Sequence, residues 1–242
     1  MPDPAPNAEL LSALGRLARG LSALFWGLPI ALVTCVQTTK GDWLRPLGVL
    51  PPLLATGLLF YALNLLGHFQ KQERVWLAAL DRARFFALIN LGLSPFLFWW
   101  SKIPANPFYN VILNVLIITG LLFLFALNPL LQRLTAMLPD EALRQETQLF
   151  TRLNGFLLLG TLLLLGIYFA VTRINPLLLD SAIDFLTRVT PFRQQALALR
   201  LILENAGLWL VLFLVLLPVA MTMALLWKIK EVILTSVFGP EH

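Results

Sequence analysis

The stretch YNVILNVLIITGLLFLFALNPLL, which runs from Tyr109 to Leu131, contains no charged residue. A helix needs about 20 predominantly apolar residues to cross the hydrocarbon core of a bilayer, so this stretch predicts a transmembrane helix. Five further apolar runs are found at Gly20–Thr38, Leu47–Phe69, Arg84–Trp100, Asn154–Thr172 and Ala206–Lys228. The sequence therefore predicts about six spans.

The composition of the whole chain indicates lipid rather than water as its surroundings. Of the 242 residues, 58% are hydrophobic and only 13% are charged, and the mean hydropathy is +0.79. Soluble domains normally carry about 25% charged residues. We therefore predict an all-α fold: a polytopic helical membrane protein whose six transmembrane helices form three hairpins in a single transmembrane domain, residues 1–242.

A sequence repeat supports the arrangement in hairpins. The pentapeptide TGLLF occurs at residues 56–60 and again at 119–123, and each copy is followed by an Ala-Leu-Asn that ends at Asn64 or Asn128. Phe86–Asn90, which precedes the second copy, is echoed by Phe150–Asn154, so the period is roughly 64 residues. This spacing predicts three repeats, at 8–69, 72–132 and 140–230, in an arrangement typical of hairpins around an axis normal to the membrane.

Amphipathic patterns extend the first, third and fifth predicted spans beyond their apolar runs, and Asp140 is placed to cap the last of these extensions. A further short amphipathic segment covers residues 181–189. Apolar faces outside the lipid either lie on anionic headgroups or contact protein. We expect the second at Trp76, Leu80, Phe150, Ile183 and Leu186, with a protein partner or a second copy of the chain.

The net charge of +5 predicts how the chain is oriented. If the N-terminus is cytoplasmic, 11 of the 18 Lys and Arg residues fall on the cytoplasmic side: Arg16, Arg19, Lys71, Arg74, Arg82, Arg84, Arg133, Arg144, Arg152, Lys228 and Lys230. Cytoplasmic loops carry such an excess, so both termini are expected in the cytoplasm and the basic residues near anionic membrane lipids. No basic run typical of nucleic-acid binding occurs, and the Leu-rich, Lys-poor composition favours a bacterial inner (cytoplasmic) membrane.

The chain lacks the residue patterns on which enzymes and metal sites are built. One cysteine, Cys35, cannot form a thiolate metal site or a redox pair, and no HExxH, GxGxxG or GxxxxGK[ST] motif occurs. All 13 acidic residues lie outside the apolar runs, whereas ion-coupled transporters usually keep ionisable groups within their spans. We therefore expect no enzymatic activity, no cofactor and no metal.

Amide side chains are among the polar groups that do enter the predicted spans. Asn114 and Asn128 are 14 residues apart and share one helical face, while Asn64 and Asn128 occupy matching positions in two repeats. Such residues either line a polar path or form hydrogen bonds between helices, and we favour hydrogen bonding.

Two functions fit this sequence. The first is a non-enzymatic anchor, scaffold or sensor subunit within a larger membrane assembly, because the spans are uncharged and their extensions are partly apolar. The alternative is a channel or transporter for a neutral or hydrophobic solute, with Asn64, Asn114 and Asn128 along its path.

Overall fold

The computed structural model describes residues 5–41, 43–69, 73–138, 140–174 and 214–235 of the chain. Its helices are α1 (Ala5–Lys40), α2 (Leu50–Leu66), α3 (Arg74–Leu93), α4 (Phe96–Lys102), α5 (Pro107–Ala136), α6 (Glu141–Ile174) and α7 (214–235), with a 3-10 turn at Arg45–Leu47. No strand occurs among the described residues. The predicted all-α class is confirmed.

Within the described residues, four helical segments are long and apolar enough to cross a membrane: Ser12–Thr39, Arg74–Lys102, Pro107–Ala136 and Glu141–Ile167. The helix α2 is apolar but shorter, with 17 residues. At 1.5 Å per residue, the 36 residues of α1 and the 34 residues of α6 extend for about 54 Å and about 51 Å. Both exceed the hydrocarbon thickness of about 30 Å, so a spanning α1 or α6 also has a part outside the lipid.

Local side chains fix where the long helices begin. The Asn106 side chain accepts a hydrogen bond from the amide of Phe108, and Pro107 occupies the first helical position of α5. At α6, Asp140 Oδ1 accepts from the amides of Ala142 and Leu143 at 3.0 and 3.1 Å, which confirms the predicted cap. These caps satisfy amide groups that have no partner within the helix.

The third predicted span is interrupted between α3 and α4. Ser94 still donates its amide to Asn90 O at 2.9 Å, but Pro95 has no N–H to continue the pattern. Helical bonding resumes at once, because the amide of Leu97 reaches Ser94 O at 3.2 Å. At the break, the bond from Leu97 to Ser94 joins residues three apart instead of four, and the chain stays helical on both sides.

The chain divides into two compact units, residues 1–154 with 219–242 and residues 155–218. In the first unit, α1 packs against α2, α3 packs against α2 and α5, and α4 packs against α1 and α5. The ring of Phe25 in α1 also meets that of Trp227 in α7, with centroids 5.4 Å apart. In the second unit, the described residues belong to the later part of α6 and the beginning of α7.

Close approach of α1 to α2 depends on two glycines one heptad apart. A Cβ at Gly20 would lie 3.1 Å from Ala62 O, and one at Gly27 would lie 2.8 Å from a methyl group of Leu59. Small residues allow neighbouring helices in lipid to come this close. The α1–α2 pair is thus held by backbone proximity as well as by leucine packing.

Large apolar side chains cover the outside of the helices. Trp26, Phe85 and Phe156 are 60%, 60% and 67% exposed, and leucine, isoleucine and valine side chains are exposed along the same helices. Soluble monomers rarely expose contiguous apolar surface on this scale. The exposed faces therefore match a lipid environment and indicate a membrane-integrated protein.

The structure corrects the expected roles of Trp76 and Leu80. Both side chains are fully buried within the chain, and Trp76 also stacks edge-on with Phe69. The helical pattern correctly identified their shared apolar face, but that face packs against the chain's own helices. Neither residue is available to a separate partner in this structure.

Matched leucines in α3 give a test of this assignment. Leu80→Ala removes a fully buried side chain and is expected to lower the free energy of unfolding by about 2–5 kcal/mol. Leu88→Ala, on the lipid-facing side of the same helix, is expected to cost less than about 1 kcal/mol. Unfolding of both variants in mixed detergent micelles measures the difference, and equal losses would contradict the burial of Leu80.

Candidate functional site

Hydrogen-bonding side chains lie buried among the helices, and they are the part of the chain with the most chemistry to offer. They are Thr38, Thr56, Asn90, Ser94, Thr119, Asn128, Thr135, Thr147, Thr151, Asn154, Thr161 and Thr222. Several bond only within their own helix: Thr38, Thr135, Thr147 and Thr151 each donate to a carbonyl three or four residues earlier. The others connect different helices.

The first contact between helices joins α3 to α5. Thr119 Oγ1 lies 2.6 Å from Asn90 Oδ1, and Asn90 Nδ2 donates to the carbonyl of Thr119 at 3.4 Å. Both residues are buried. The amide of Asn90 is therefore satisfied at both ends by one residue of the neighbouring helix.

A second contact lies where α3 is interrupted. The hydroxyl groups of Thr56 in α2 and Ser94 are 3.2 Å apart, and both are buried. Ser94 also reaches the carbonyl of Leu91 at 2.9 Å. This contact ties α2 to the break in the third predicted span.

The third contact gathers three helices around Asn154. Its Nδ2 lies 2.9 Å from Asn128 Oδ1 in α5 and 3.1 Å from Thr222 Oγ1 in α7. Asn128 and Asn154 are 6% and 3% exposed. Yet Asn128 Nδ2 and Asn154 Oδ1, one donor and one acceptor, have no partner within the described part of the chain. Two polar atoms of this cluster are thus left with unused hydrogen-bonding capacity.

Charged groups lie toward the ends of the helices. Arg84 Nη2 donates to the carbonyl of Leu63 at 3.3 Å, in the last turn of α2, while Nη1 pairs with Asp81 at 3.3 Å. A cation is favourable at that end of a helix dipole. The guanidinium packs so closely on Gly67 that any Cβ there would collide with it.

A second ion pair connects α6 and α7. Lys228 contacts Glu146, and each side chain is about half exposed. Exposed ion pairs contribute roughly 0–1 kcal/mol, so this pair aligns the helices more than it stabilises them.

Of the three asparagines considered for a possible polar path, only Asn128 belongs to a buried cluster. Asn64 and Asn114 are half-buried and lie apart from it. The residues that sequence reasoning missed are Asn154 and Thr222, because Asn154 lay at the edge of a predicted span. The 64-residue spacing from Asn90 to Asn154 was the available signal, since both turned out to bond a threonine in another helix.

The residues expected to contact a partner are placed differently from one another. Phe150 is exposed on α6, Trp76 and Leu80 are buried, and Ile183 and Leu186 lie outside the described residues. Only Phe150 is therefore an exposed candidate in the part of the chain that is described.

No group of three or more His, Cys, Asp or Glu residues that could hold a metal occurs in the described ranges. A shallow depression lies beside the break after α3, and it is lined by Leu93, Phe96, Leu97, Ile112, Leu113 and Leu116. Its apolar walls offer nothing to orient a polar substrate. The buried amides, rather than this depression, are the candidate site.

Comparison of the chain with protein-family models, with curated proteins and with solved structures finds no match.

Substitution of Asn154 tests the three-helix cluster. Asn154→Leu removes both donated bonds and leaves the buried amide of Asn128 without a partner, so we expect a loss of about 1–2 kcal/mol in unfolding free energy. In the double variant N128L/N154L no buried amide is left behind, so it is expected to be no less stable than N154L.

Asn114→Leu is the control, because Asn114 is half-buried and outside the cluster. It is expected to change the unfolding free energy by less than about 0.5 kcal/mol. Unfolding in mixed micelles compares the wild type with N114L, N128L, N154L and N128L/N154L. A loss in the double variant equal to the sum of the two single losses would argue against coupling of positions 128 and 154.

Proposed function

We propose that this chain is a non-enzymatic integral membrane protein that acts as an anchor, scaffold or sensor subunit within a larger membrane assembly. It crosses the membrane six times in three hairpins, with both termini in the cytoplasm of a bacterial cell. Its partners are anionic lipids and a protein, or a second copy of the chain.

The way the buried polar groups are used is the observation that carries this proposal. Asn90 and Thr119 satisfy each other across α3 and α5, and Asn154 bonds two helices at once. Groups used in this way hold helices together and leave little for a substrate. An uncharged interior held by hydrogen bonds between helices suits a protein that binds its partners on its outer surface.

The recurrence of an Asn–Thr contact supports the arrangement in three hairpins. The pair Asn90–Thr119 lies within the second predicted repeat, and the pair Asn154–Thr222 lies within the third. In each, the asparagine is on the first helix of the hairpin and the threonine is on the second. The first hairpin has a buried threonine, Thr56, at the corresponding place in α2, where it contacts Ser94 instead.

The beginnings of α3 and α6 present a suitable surface for a protein partner. Exposed charged residues of both signs occur there, with Arg74, Asp81 and Arg82 on α3 and Glu141 and Arg144 on α6, and the polar Gln145 and Gln148 of α6 are exposed as well. The faces that carry Trp76, Leu80 and Leu143 are buried inside the chain. A partner would therefore bind a mixed polar surface, with exposed Phe150 at its boundary with the lipid-facing surface.

Native mass spectrometry of the protein extracted from its own membrane in mild detergent tests this function. We expect a stoichiometric protein partner or a defined homo-oligomer. Phe150→Ala is expected to reduce that complex at least several-fold, because aromatic residues often dominate interfaces. Phe156→Ala, an exposed phenylalanine further along α6, is the matched control and should leave the complex intact. A lone monomer that carries only lipid would contradict the assembly function.

One observation favours the alternative of a channel for a neutral solute. The unpaired Asn128 Nδ2 and Asn154 Oδ1 could bind water or a small polar solute inside the bundle. The assembly function predicts that this location is dry.

Cysteine labelling separates the two functions. Single cysteines at Asn64, Asn114 and Asn128, in a variant whose Cys35 is replaced, are treated with a water-soluble thiol reagent in sealed vesicles. We expect no labelling of the Asn128 position, because it is buried, and no solute flux through the protein in liposomes. Labelling of that position together with flux would establish the channel instead.

A further inference from the structure

Arg152 is a cation on the outward face of α6, placed among exposed apolar side chains. Leu149 lies three residues before it and Phe156 four residues after it, and they are 60% and 67% exposed. Leu153, beside it, is also exposed. At 1.5 Å per residue, apolar surface therefore begins about 4.5 Å before Arg152 and continues at least 6 Å beyond it.

Arg152 has no counter-charge within the described part of the chain. By contrast, Arg84 is paired with Asp81, and Lys228 is paired with Glu146. Glu146 is also the nearest acidic residue to Arg152 along α6, six positions earlier, and Lys228 already contacts it. The charge of Arg152 must therefore be solvated or neutralised by groups outside the described part of the chain.

The free-energy cost of placing an arginine in lipid limits where the Arg152 side chain can lie. An arginine at the centre of a bilayer costs about 2.5–3.5 kcal/mol on insertion scales, and the cost falls when the side chain reaches toward the headgroups. The guanidinium has five donors in a planar fork that fits phosphate oxygens in pairs. A phospholipid supplies both needs at once, with a phosphate for the fork and acyl chains for the leucine surface.

We propose that Arg152 binds the headgroup phosphate of an anionic phospholipid, whose acyl chains lie against Leu149 and Leu153. The lipid belongs to the leaflet nearer the beginning of α6. A net negative lipid is favoured over a zwitterionic one, because the zwitterion brings its own cation next to the phosphate. The inference rests on the proposal that α6 crosses the bilayer, and it adds a specific lipid site to that proposal.

The lipid site lies near the level of the buried amide cluster. Asn154 is two residues from Arg152, about 3 Å along the axis, and it points inward where Arg152 points outward. A bound headgroup would hold the outer side of α6 at the height where Asn128 and Thr222 hold its inner side.

Lipid binding in detergent tests the proposal. The full chain is titrated with phosphatidylglycerol or with phosphatidylcholine of the same acyl chains, and bound lipids are counted by native mass spectrometry. We expect the first phosphatidylglycerol to bind more tightly than the first phosphatidylcholine. Arg152→Gln should weaken that phosphatidylglycerol by about five-fold, as expected for one basic residue near an anionic surface, and leave phosphatidylcholine unchanged.

Two further variants separate this site from a general charge effect. Arg152→Lys keeps the charge without the fork and is expected to weaken the tight lipid less than R152Q does. Arg144→Gln removes the same charge from the exposed polar part of α6 and should leave the tight site intact. An equal loss in R144Q and R152Q, or no loss in R152Q, would overturn the proposal.

A soluble competitor identifies the source of the phosphate. Glycerol phosphate at millimolar concentration should not displace the lipid, because it lacks the acyl chains. Displacement by glycerol phosphate would overturn the lipid assignment in favour of a site for a free phosphate.

The same protein reports separately on whether α6 crosses the bilayer. A cysteine at Phe156, in sealed vesicles and with Cys35 replaced, is expected to be protected from a water-soluble thiol reagent. Labelling there would overturn the spanning arrangement and the lipid site together. Protection without phosphatidylglycerol selectivity would overturn the lipid site alone.

Discussion

The fold depends on one constraint: in hydrocarbon, every backbone N–H and C=O must find its partner inside the protein. Helices satisfy it, and the described part of the chain has four helical segments that are long and apolar enough to cross a membrane. The interruption after α3 shows how strictly the constraint is kept. Pro95 removes one donor, yet Ser94 bonds back to Asn90 and Leu97 bonds to Ser94, so the chain returns to a helix within one turn.

The lipid surroundings also determine which interactions can decide which helices pack against each other. Leucine gains little by leaving lipid for another leucine, so apolar packing alone does not decide which helices meet. Close backbone contacts and hydrogen bonds between helices decide which helices pack together. Gly20 and Gly27 let α1 approach α2, and Asn90 with Thr119 joins α3 to α5. Residues of this kind are few, and each determines a pair of neighbouring helices.

Sequence patterns predicted the positions of the helices well, but they did not predict which residues pack against each helix. The run Tyr109–Leu131 lies wholly inside α5, and the pattern before the third span correctly placed Trp76 and Leu80 on one face. Periodicity identifies a buried face but says nothing about what covers it, so contact with a partner was expected where the chain covers itself. Asn154 was missed because hydropathy placed it at a span edge, and burial there depends on helices distant in sequence.

The two sides of α6 near residue 153 show where function is to be sought. Inward, Asn154 has neighbouring helices to bond, and the chain itself supplies most of what the amide needs. Outward, Arg152 lies beside exposed Leu149 and Leu153 and the uncharged Gln148, so the chain leaves its charge unmatched. Polar groups that are hydrogen-bonded within the protein stabilise it. Polar groups without a partner inside the protein are the ones that can bind a lipid, a solute or another protein. Among the described residues, Arg152 is such a group on the outer surface, while Asn128 Nδ2 and Asn154 Oδ1 are such groups in the interior, so the labelling and lipid-binding measurements address the two places where the chain itself offers no partner.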